Sequence, residues 1–381
     1  MEIKIHKLYL INSTFPPKLC GVGDHTAYLA TELAKIIEVK VLVAFGEIDN
    51  FTQFKVEPIF SYVKPESFFS IIKFIREDPP DWVILQYDPF GYGTRYGLNP
   101  YIPLAINILK RLCPKVKIGV IVHESFIHIQ NRKLAVLAQL LKAQLWLLGC
   151  AVDTIFTVIE PWVSILNSWF PNKLIQHLPV SSNIPQVPTD RAKVRESLRI
   201  SPQTIVLGMF GRIQRVRRLD HIINAVKKIQ AEGFEVLVMY IGHDTVGAKS
   251  GLTDVPLLAE GPFSPEEVSR RFAAMDIYLV PIDEGVSTRN TSFMTGLQHG
   301  IPTVATFGSA TDSMLMQEHG KSLFLVDVKA PDDFAQAVLE LASNPLQRKL
   351  LSDGAKELFA REFTWSHISS KLLTTLESFE V

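Results

Sequence analysis

Residues 204–230, TIVLGMFGRIQRVRRLDHIINAVKKIQ, read as three pieces in succession. An apolar run ends at Gly211, and a short connection carries Arg212, Arg215, Arg217 and Arg218. From near Asp220, apolar residues then recur three and four positions apart. A buried strand feeding an amphipathic helix through a glycine turn is the repeating unit of a parallel α/β sheet.

The same unit opens the first half of the chain as LYLINSTFPPKLCGVGDHTAYLATELAK, residues 8–35. Apolar, β-branched runs continue the pattern on both sides. KLYLIN, VKVLVAF, WVILQY, VKIGVIVH and DTIFTVI belong to the first half, and TIVLGMF, FEVLVMYI, DIYLVP, IPTVAT and SLFLVD to the second. Between them VSSNIPQVPT, residues 180–189, breaks the pattern with serines, an asparagine and prolines and reads as a linker. The expected organisation is an α/β domain over 1–184, a second over 185–365, and a last helix over 366–381. A chain of 381 residues exceeds one ordinary core, which agrees with two domains.

Composition narrows the function. Apolar residues make up 47% and charged residues 20%, a globular balance. Lys plus Arg and Asp plus Glu are 39 each, so no bulk field would recruit nucleic acid, and any bound anion must be met locally. Cys20, Cys113 and Cys150 lack zinc or redox spacing and fit a reducing cytoplasm. The start of the chain reads as a short strand and not as a secretion signal. The longest apolar tract, LAVLAQLLKAQLWLLGCAVDTIFTVI (134–159), is broken by Gln139, Lys142, Gln144 and Asp153 and reads as too interrupted to span a bilayer.

In open parallel sheets ligands sit outside the carboxyl ends of the strands, where helix N-termini favour negative charge. Two such domains facing each other would enclose a cleft for a phosphorylated ligand. In the first loop, Gly21 and Gly23 permit tight backbone geometry, and Asp24 or Thr26 is expected to cap the next helix, aiming free amides at a phosphate. A lone GxG equally suits a plain β-to-α turn with positive φ. Arg212, directly after Gly211, suits a bidentate phosphate contact, whereas Arg215 and Arg218 suit a solvated loop. His123 should emerge at a strand end, either as a structural hydrogen-bonder or as a working imidazole. Glu284 comes after DIYLVP in the same way. The hydroxyls beyond it could meet a sugar, and Thr291 or Ser292 could also cap the helix that starts there. HExxH, GxSxG, Walker and DxD patterns are missing, so a metal-free way of stabilising a leaving phosphate is expected.

Taken together these residues resemble the family 4 glycosyltransferases, retaining enzymes of the GT-B architecture with two facing Rossmann-like domains. The resemblance is carried by FGRIQRVRRLDHIINAV, EGPFSPEEVSRRFAAMDIYLVPIDEGVSTRNTSFMTGLQHGIPTVAT and FTWSHI, with FPPKLCGVGDHT and the strand-end His123 in the first half. It implies a donor diphosphate held by Gly21, Val22, Gly23, Arg212 and Arg217, with Arg217 standing where the family has lysine. It further implies a base near Phe263, a cleft-wall loop at Gly242, and a sugar met by Glu284, Gly285, Val286 and Ser287, next to the helix start at Thr291. The family pairs that glutamate with a second one eight residues on, where this chain has Ser292.

The activity implied by this resemblance is transfer of a hexose from a nucleoside diphosphate sugar, UDP-glucose first and GDP-linked sugars next. The acceptor would be a saccharide or lipid-linked saccharide, in polysaccharide biosynthesis, with no metal or other cofactor. The protein would be cytoplasmic, with peripheral contact at the inner membrane face through its first domain. The aromatic stretch LQYDPFGYGTRYGLNP suits either stacking of Tyr87 and Tyr92 on an acceptor saccharide or an ordinary packed loop. Rival readings are a GT-B sugar-nucleotide epimerase, which needs no acceptor, and a sugar-nucleotide sensor without turnover.

Overall fold

Strands in both halves of the computed structural model pair in parallel, as crossover connections through helices require. The structure describes residues 4–61, 64–92, 96–125, 132–213 and 217–380. The chain divides into two units, Met1–Pro179 with Trp365–Val381, and Val180–Thr364.

The first unit is built on β1 (Lys7–Asn12), β2 (Glu38–Ala44), β3 (Lys55–Phe60), β4 (Trp82–Tyr87), β5 (Lys117–Val122), β6 (Thr154–Thr157) and β7 (Leu174–His177), in the order β3-β2-β1-β4-β5-β6-β7. The second contains β8 (Ile205–Phe210), β9 (Val236–Ile241), β10 (Leu257–Glu260), β11 (Ile277–Val280), β12 (Thr303–Phe307) and β13 (Phe324–Asp327), in the order β10-β9-β8-β11-β12-β13. These are two Rossmann-like sheets, as the alternating pattern requires. The order in which successive strands are added reverses between β1 and β4 and again between β8 and β11, and such reversals open the crevices where parallel sheets bind ligands.

The central strands are apolar on both faces because helices cover both, and all six residues of β4 are buried. Strands β3, β7 and β10, which the apolar pattern did not reveal, lie at sheet edges and are only partly buried. An edge strand needs no second apolar face, and it tolerates Pro58.

The helix Leu219–Ala231 buries Ile222, Ala225, Val226 and Ile229, a three-and-four spacing that seats it in a core with Phe334, Val338 and Leu341 of the helix Pro331–Ser343. In the first unit the helix Trp365–Glu377 buries Ile368, Leu372, Leu373 and Leu376. Thr375 on it donates to Gln176 Oε1 at 2.5 Å. Its first residue, Trp365, stacks on Tyr28 with ring centroids 5.4 Å apart and planes 11° apart.

Candidate active site

The β8 end turns on Gly211, whose φ of 97° lies in the left-handed region. Its amide donates to the Ile241 carbonyl at 3.0 Å and its carbonyl accepts from Tyr240 Oη at 2.8 Å, so the turn is pinned to β9. Arg212 comes next, with an exposed side chain. Arg217 is placed differently from a free phosphate ligand: Nη2 donates to the Phe210 carbonyl at 2.7 Å and Nε to the Arg212 carbonyl at 3.2 Å. Its Nη1 is buried. In this state the guanidinium is bonded to the carbonyls at the end of β8. Arg218, part-exposed, pairs with two exposed carboxylates, Asp220 at 2.8 Å and Asp283 at 3.5 Å, which suits the solvated loop expected for it. Arg215 lies outside the described residues.

A Cβ on Gly211 would sit 3.6 Å from Ser292 Cβ and 3.7 Å from Arg217 Nη2, so the fold brings Gly211, Arg217 and Ser292 to one place. Gly242 adjoins them, since a Cβ there would lie 2.5 Å from the Gly211 carbonyl oxygen. Two strand ends are thereby left bare of side chains. Further along that edge the Arg271 guanidinium lies 4.0 Å from the centroid of the Phe263 ring and also pairs with Glu260.

After β11 the chain turns at Gly285, with a φ of 85°. A Cβ there would lie 2.2 Å from the Gly308 amide nitrogen, so only glycine fits. Glu284, one residue earlier, accepts from Arg289 Nη2 at 3.1 Å. The hydroxyl string has a different task from the expected one. Val286, Ser287 and Thr288 are fully buried. Ser287 donates from its amide and its hydroxyl to Asn290 Oδ1, at 2.8 and 3.2 Å, and the Thr288 amide donates to Asp312 at 2.6 Å. They knit the loop, so Val286 and Ser287 offer no surface to a sugar in this state.

The next helix runs Thr291–Gln298, and its cap residue is Asn290, not Thr291 or Ser292. Asn290 turns its side chain back to Ser287 and makes no cap bond to the helix. Backbone N–H groups of the first turn are therefore left without a side-chain cap, as an anion at a helix start requires.

In the first unit the helix Gly21–Leu33 starts earlier than expected, with Cys20 as cap residue. Gly21, Val22 and Gly23 form its first turn, and Asp24 and Thr26 are inside it and do not cap it. Neither glycine is held at positive φ. Gly23 is required by proximity, because a Cβ there would sit 2.8 Å from the Thr14 carbonyl oxygen. Asn12, at the β1 end, holds this arrangement from below: its Nδ2 donates to Thr14 O, Val22 O and Thr26 Oγ1 at 2.9, 3.1 and 3.0 Å.

His123 stands at the β5 end, buried, with Nε2 2.6 Å from Gln86 Oε1. With that oxygen as acceptor, the proton sits on Nε2. Its ring meets that of His25 edge-on at 4.8 Å, and His25 in turn meets Trp365 at 5.1 Å. Burial, and then the neighbouring His25, hold the His123 pKa well below the ordinary imidazole value. Burial alone takes His25 down to about 3, and among the described residues neither of its ring nitrogens has a hydrogen-bond partner. Both imidazoles are thus neutral at physiological pH.

Tyr87 and Tyr92 are core residues, which corrects the expectation that they meet an acceptor. Tyr87 is fully buried and accepts from Gln144 Nε2 at 3.0 Å, while Tyr92 donates to the Ile11 carbonyl at 3.1 Å among Phe60 and Phe68. Tyr87 ends a strand covered on both faces, and Tyr92, on the short helix Pro89–Tyr92 that follows, packs into the same core.

The sequence alone assigns no role to Asn12, His25, Arg289 or Asn290. Only short spacing could have signalled Arg289, five residues after Glu284; His25 and His123 are too far apart in the chain for any pattern to link them.

Residues 204–344 match the family model described as glycosyl transferases group 1. Two D-inositol 3-phosphate glycosyltransferases are similar in sequence. That of Stackebrandtia nassauensis is 29% identical over 207 residues, 49% of this chain and 44% of its own length. That of a Nocardioides species is 29% identical over 213 residues, again 49% and 44%. The match thus spans less than half the length of these curated relatives. Among solved structures, sucrose-phosphate synthase from Thermosynechococcus elongatus superposes with a TM-score of 0.73 at 13% identity, covering 98% of this chain and 99% of its own. Anabaena HepE, solved in complex with UDP-glucose, gives 0.67 at 14% identity, covering 98% and 99%. At such identities the likeness is one of fold. The chain therefore has the GT-B fold of two Rossmann-like domains, and its second unit carries the region matched by the glycosyl transferases group 1 model.

Proposed function

We propose that the protein is a retaining family 4 glycosyltransferase that moves a hexose from a nucleoside diphosphate sugar to a hydroxyl of a saccharide or lipid-linked saccharide, in polysaccharide biosynthesis. UDP-glucose is the donor of first choice. One observation carries the reading. Where the strand order reverses in the second sheet, the β8 and β11 ends present the exposed Arg212 after a left-handed glycine, the carboxylate of Glu284, and an uncapped helix start at Thr291. Cation, backbone amides and carboxylate at such a crevice suit a diphosphate joined to a sugar.

In this mechanism the bond from the anomeric carbon to the diphosphate breaks toward an oxocarbenium-like state. Negative charge grows on the leaving phosphate, where Arg212 and the Thr291 helix start meet it, and Glu284 holds the sugar ring. The acceptor hydroxyl attacks from the face the diphosphate leaves, and a departing phosphate oxygen takes its proton, so configuration is retained. In the first unit the neutral His123, its Nε2 proton engaged by Gln86, positions the acceptor side and does not serve as the base. A divalent ion is not required, so a chelator should leave turnover unchanged.

A second reading, a sugar-nucleotide binder without turnover, is favoured by Ser292 in place of a second carboxylate and by Arg217 bonded to backbone carbonyls. A panel of nucleotide sugars assayed by thermal stabilisation, with product analysis on saccharide acceptors afterwards, separates the two. Transfer predicts selective stabilisation and acceptor-dependent nucleotide release. Stabilisation without release supports the binder, an isomerised sugar nucleotide formed without acceptor supports the epimerase, and no stabilisation by any sugar nucleotide overturns all three.

A further inference from the structure

The first sheet has its own reversal of strand order, between β1 and β4, and the side chains that emerge beside it differ in charge from those of the second sheet. β4 ends at Tyr87 and is followed by Asp88, and β5 ends at Val122 and is followed by His123. Tyr87 and Val122 are register partners, and the His123 amide donates to the Tyr87 carbonyl at 2.9 Å. Asp88 and His123 therefore leave the sheet from neighbouring strand ends. On the other side of β4, Ser13 follows the end of β1. A Cβ on Gly91 would lie 2.7 Å from Ser13 Oγ and 3.6 Å from Asp88 Oδ2, so the bare glycine leaves the hydroxyl and the carboxylate bordering one space.

Nothing in the protein accounts for burying Asp88. It is half-buried, and burial raises its pKa against the opposing effect of the Phe90 and Gly91 amides. The Phe90 amide donates to Oδ1 at 3.0 Å. Among the described residues no Lys or Arg pairs with the carboxylate and no side chain donates to it. A carboxylate drawn out of water without a cation costs stability, and such groups in a crevice mark sites that a ligand completes.

The neighbours bring no positive charge either. With the Nε2 proton of His123 given to Gln86, Nδ1 carries the lone pair and can only accept, and burial keeps the ring neutral. Residues 13–15, 88–90 and 123–125, directly after β1, β4 and β5, include no Lys or Arg, whereas Arg212 stands directly after Gly211 in the second unit. An edge that offers acceptors and no cation suits a ligand that brings hydroxyl protons and no negative charge.

We propose that Asp88 is a specificity-determining residue for the acceptor, accepting a hydrogen bond from a neutral polyol and, with Ser13 and His123, selecting an unphosphorylated sugar ring over a sugar phosphate. The inference rests on the transferase reading and adds the acceptor's class to it. A phosphate placed here would face a carboxylate and an imidazole lone pair with no cation to meet it. Asp88 binds and orients the ring. The proton of the attacking hydroxyl still passes to the departing phosphate oxygen, so no bond is made or broken at Asp88.

The test is acceptor-dependent nucleotide release by the full chain, using the sugar nucleotide that stabilises it most and matched acceptors. The pairs are glucose and glucose 6-phosphate, fructose and fructose 6-phosphate, and myo-inositol and inositol 3-phosphate. In each pair that reacts, kcat/KM is expected to be about tenfold higher or more for the neutral member. Asp88→Asn keeps the shape and the Phe90 contact but loses the charge. It should raise the acceptor KM about tenfold, the scale of a charged hydrogen bond, and narrow the discrimination against phosphates. Donor stabilisation and melting temperature should stay as in wild type. Asp88→Glu should recover part of the loss, and Ser13→Ala should give a smaller rise in KM. Preference for the sugar phosphates, transfer to no neutral member, or a wild-type acceptor KM in Asp88→Asn overturns the proposal. So does a lowered melting temperature with equal losses for donor and acceptor, which would assign Asp88 to the fold. Absence of stabilisation by any sugar nucleotide defeats the transferase reading itself, whereas stabilisation with transfer to the phosphates defeats this inference alone.

Discussion

Replacing His25 by phenylalanine should flatten the acid side of the stability profile of the first unit. His25 is buried between His123 and Trp365, among the described residues with no partner for either ring nitrogen, and burial takes its pKa down to about 3. Unfolded, it would titrate at about 6.5. A histidine whose folded pKa is depressed binds protons preferentially in the unfolded chain. Its contribution to stability is therefore intact above pH 6.5 and is lost as pH falls from there toward about 3.

The loss from this one side chain is about 1.4 kcal/mol per pH unit once well below 6.5, or about 2 kcal/mol between pH 7.5 and pH 5.0. In His25→Phe that component vanishes, while the ring-to-ring packing with Trp365 is kept. A constant offset of about 1 kcal/mol from the larger ring would shift both ends of the profile equally. The assay is urea unfolding at several pH values, monitored by tryptophan fluorescence. All five tryptophans, Trp82, Trp146, Trp162, Trp169 and Trp365, belong to the first unit, so the signal reports that unit alone. The stability gap between variant and wild type should move by about 2 kcal/mol in favour of the variant on acidification. Parallel profiles, with a gap constant to within about 0.5 kcal/mol across the pH range, would show that His25 is solvated or already charged and would refute its burial as a neutral imidazole.

Other substitutions probe the remaining elements. Arg212→Ala should lower kcat about a hundredfold or more with an unchanged melting temperature, and retention of full turnover would remove Arg212 from the phosphate site. Gly285→Ala, which forces a side chain into left-handed backbone and against the Gly308 amide, should cost more than about 1 kcal/mol in urea unfolding and abolish donor stabilisation; a variant as stable as wild type would mean the turn relaxes freely. Tyr87→Phe deprives Gln144 of an acceptor and should cost about 1 kcal/mol of stability while leaving kcat/KM unchanged. A tenfold fall in kcat/KM at unaltered stability would return Tyr87 to the acceptor site.

Chain periodicity alone determined the two parallel sheets, the helix after Gly211 and the positions of His123, Arg212 and Glu284 at strand ends. Strands buried on both faces must be apolar throughout, and the residue where such a run stops is the residue that emerges at the edge. Tertiary structure decided the rest, because a hydrogen bond or a burial depends on a partner that spacing cannot reveal. Gly23 is needed for the approach of Thr14, Tyr87 is claimed by Gln144, and the serine and threonine after Gly285 are consumed by Asn290 and Asp312. Edge strands β3, β7 and β10 escaped notice because half of their surface faces water and needs no apolar signature. His25 reaches His123 only because the first helix, entering beside Thr14, turns that ring toward the β5 end.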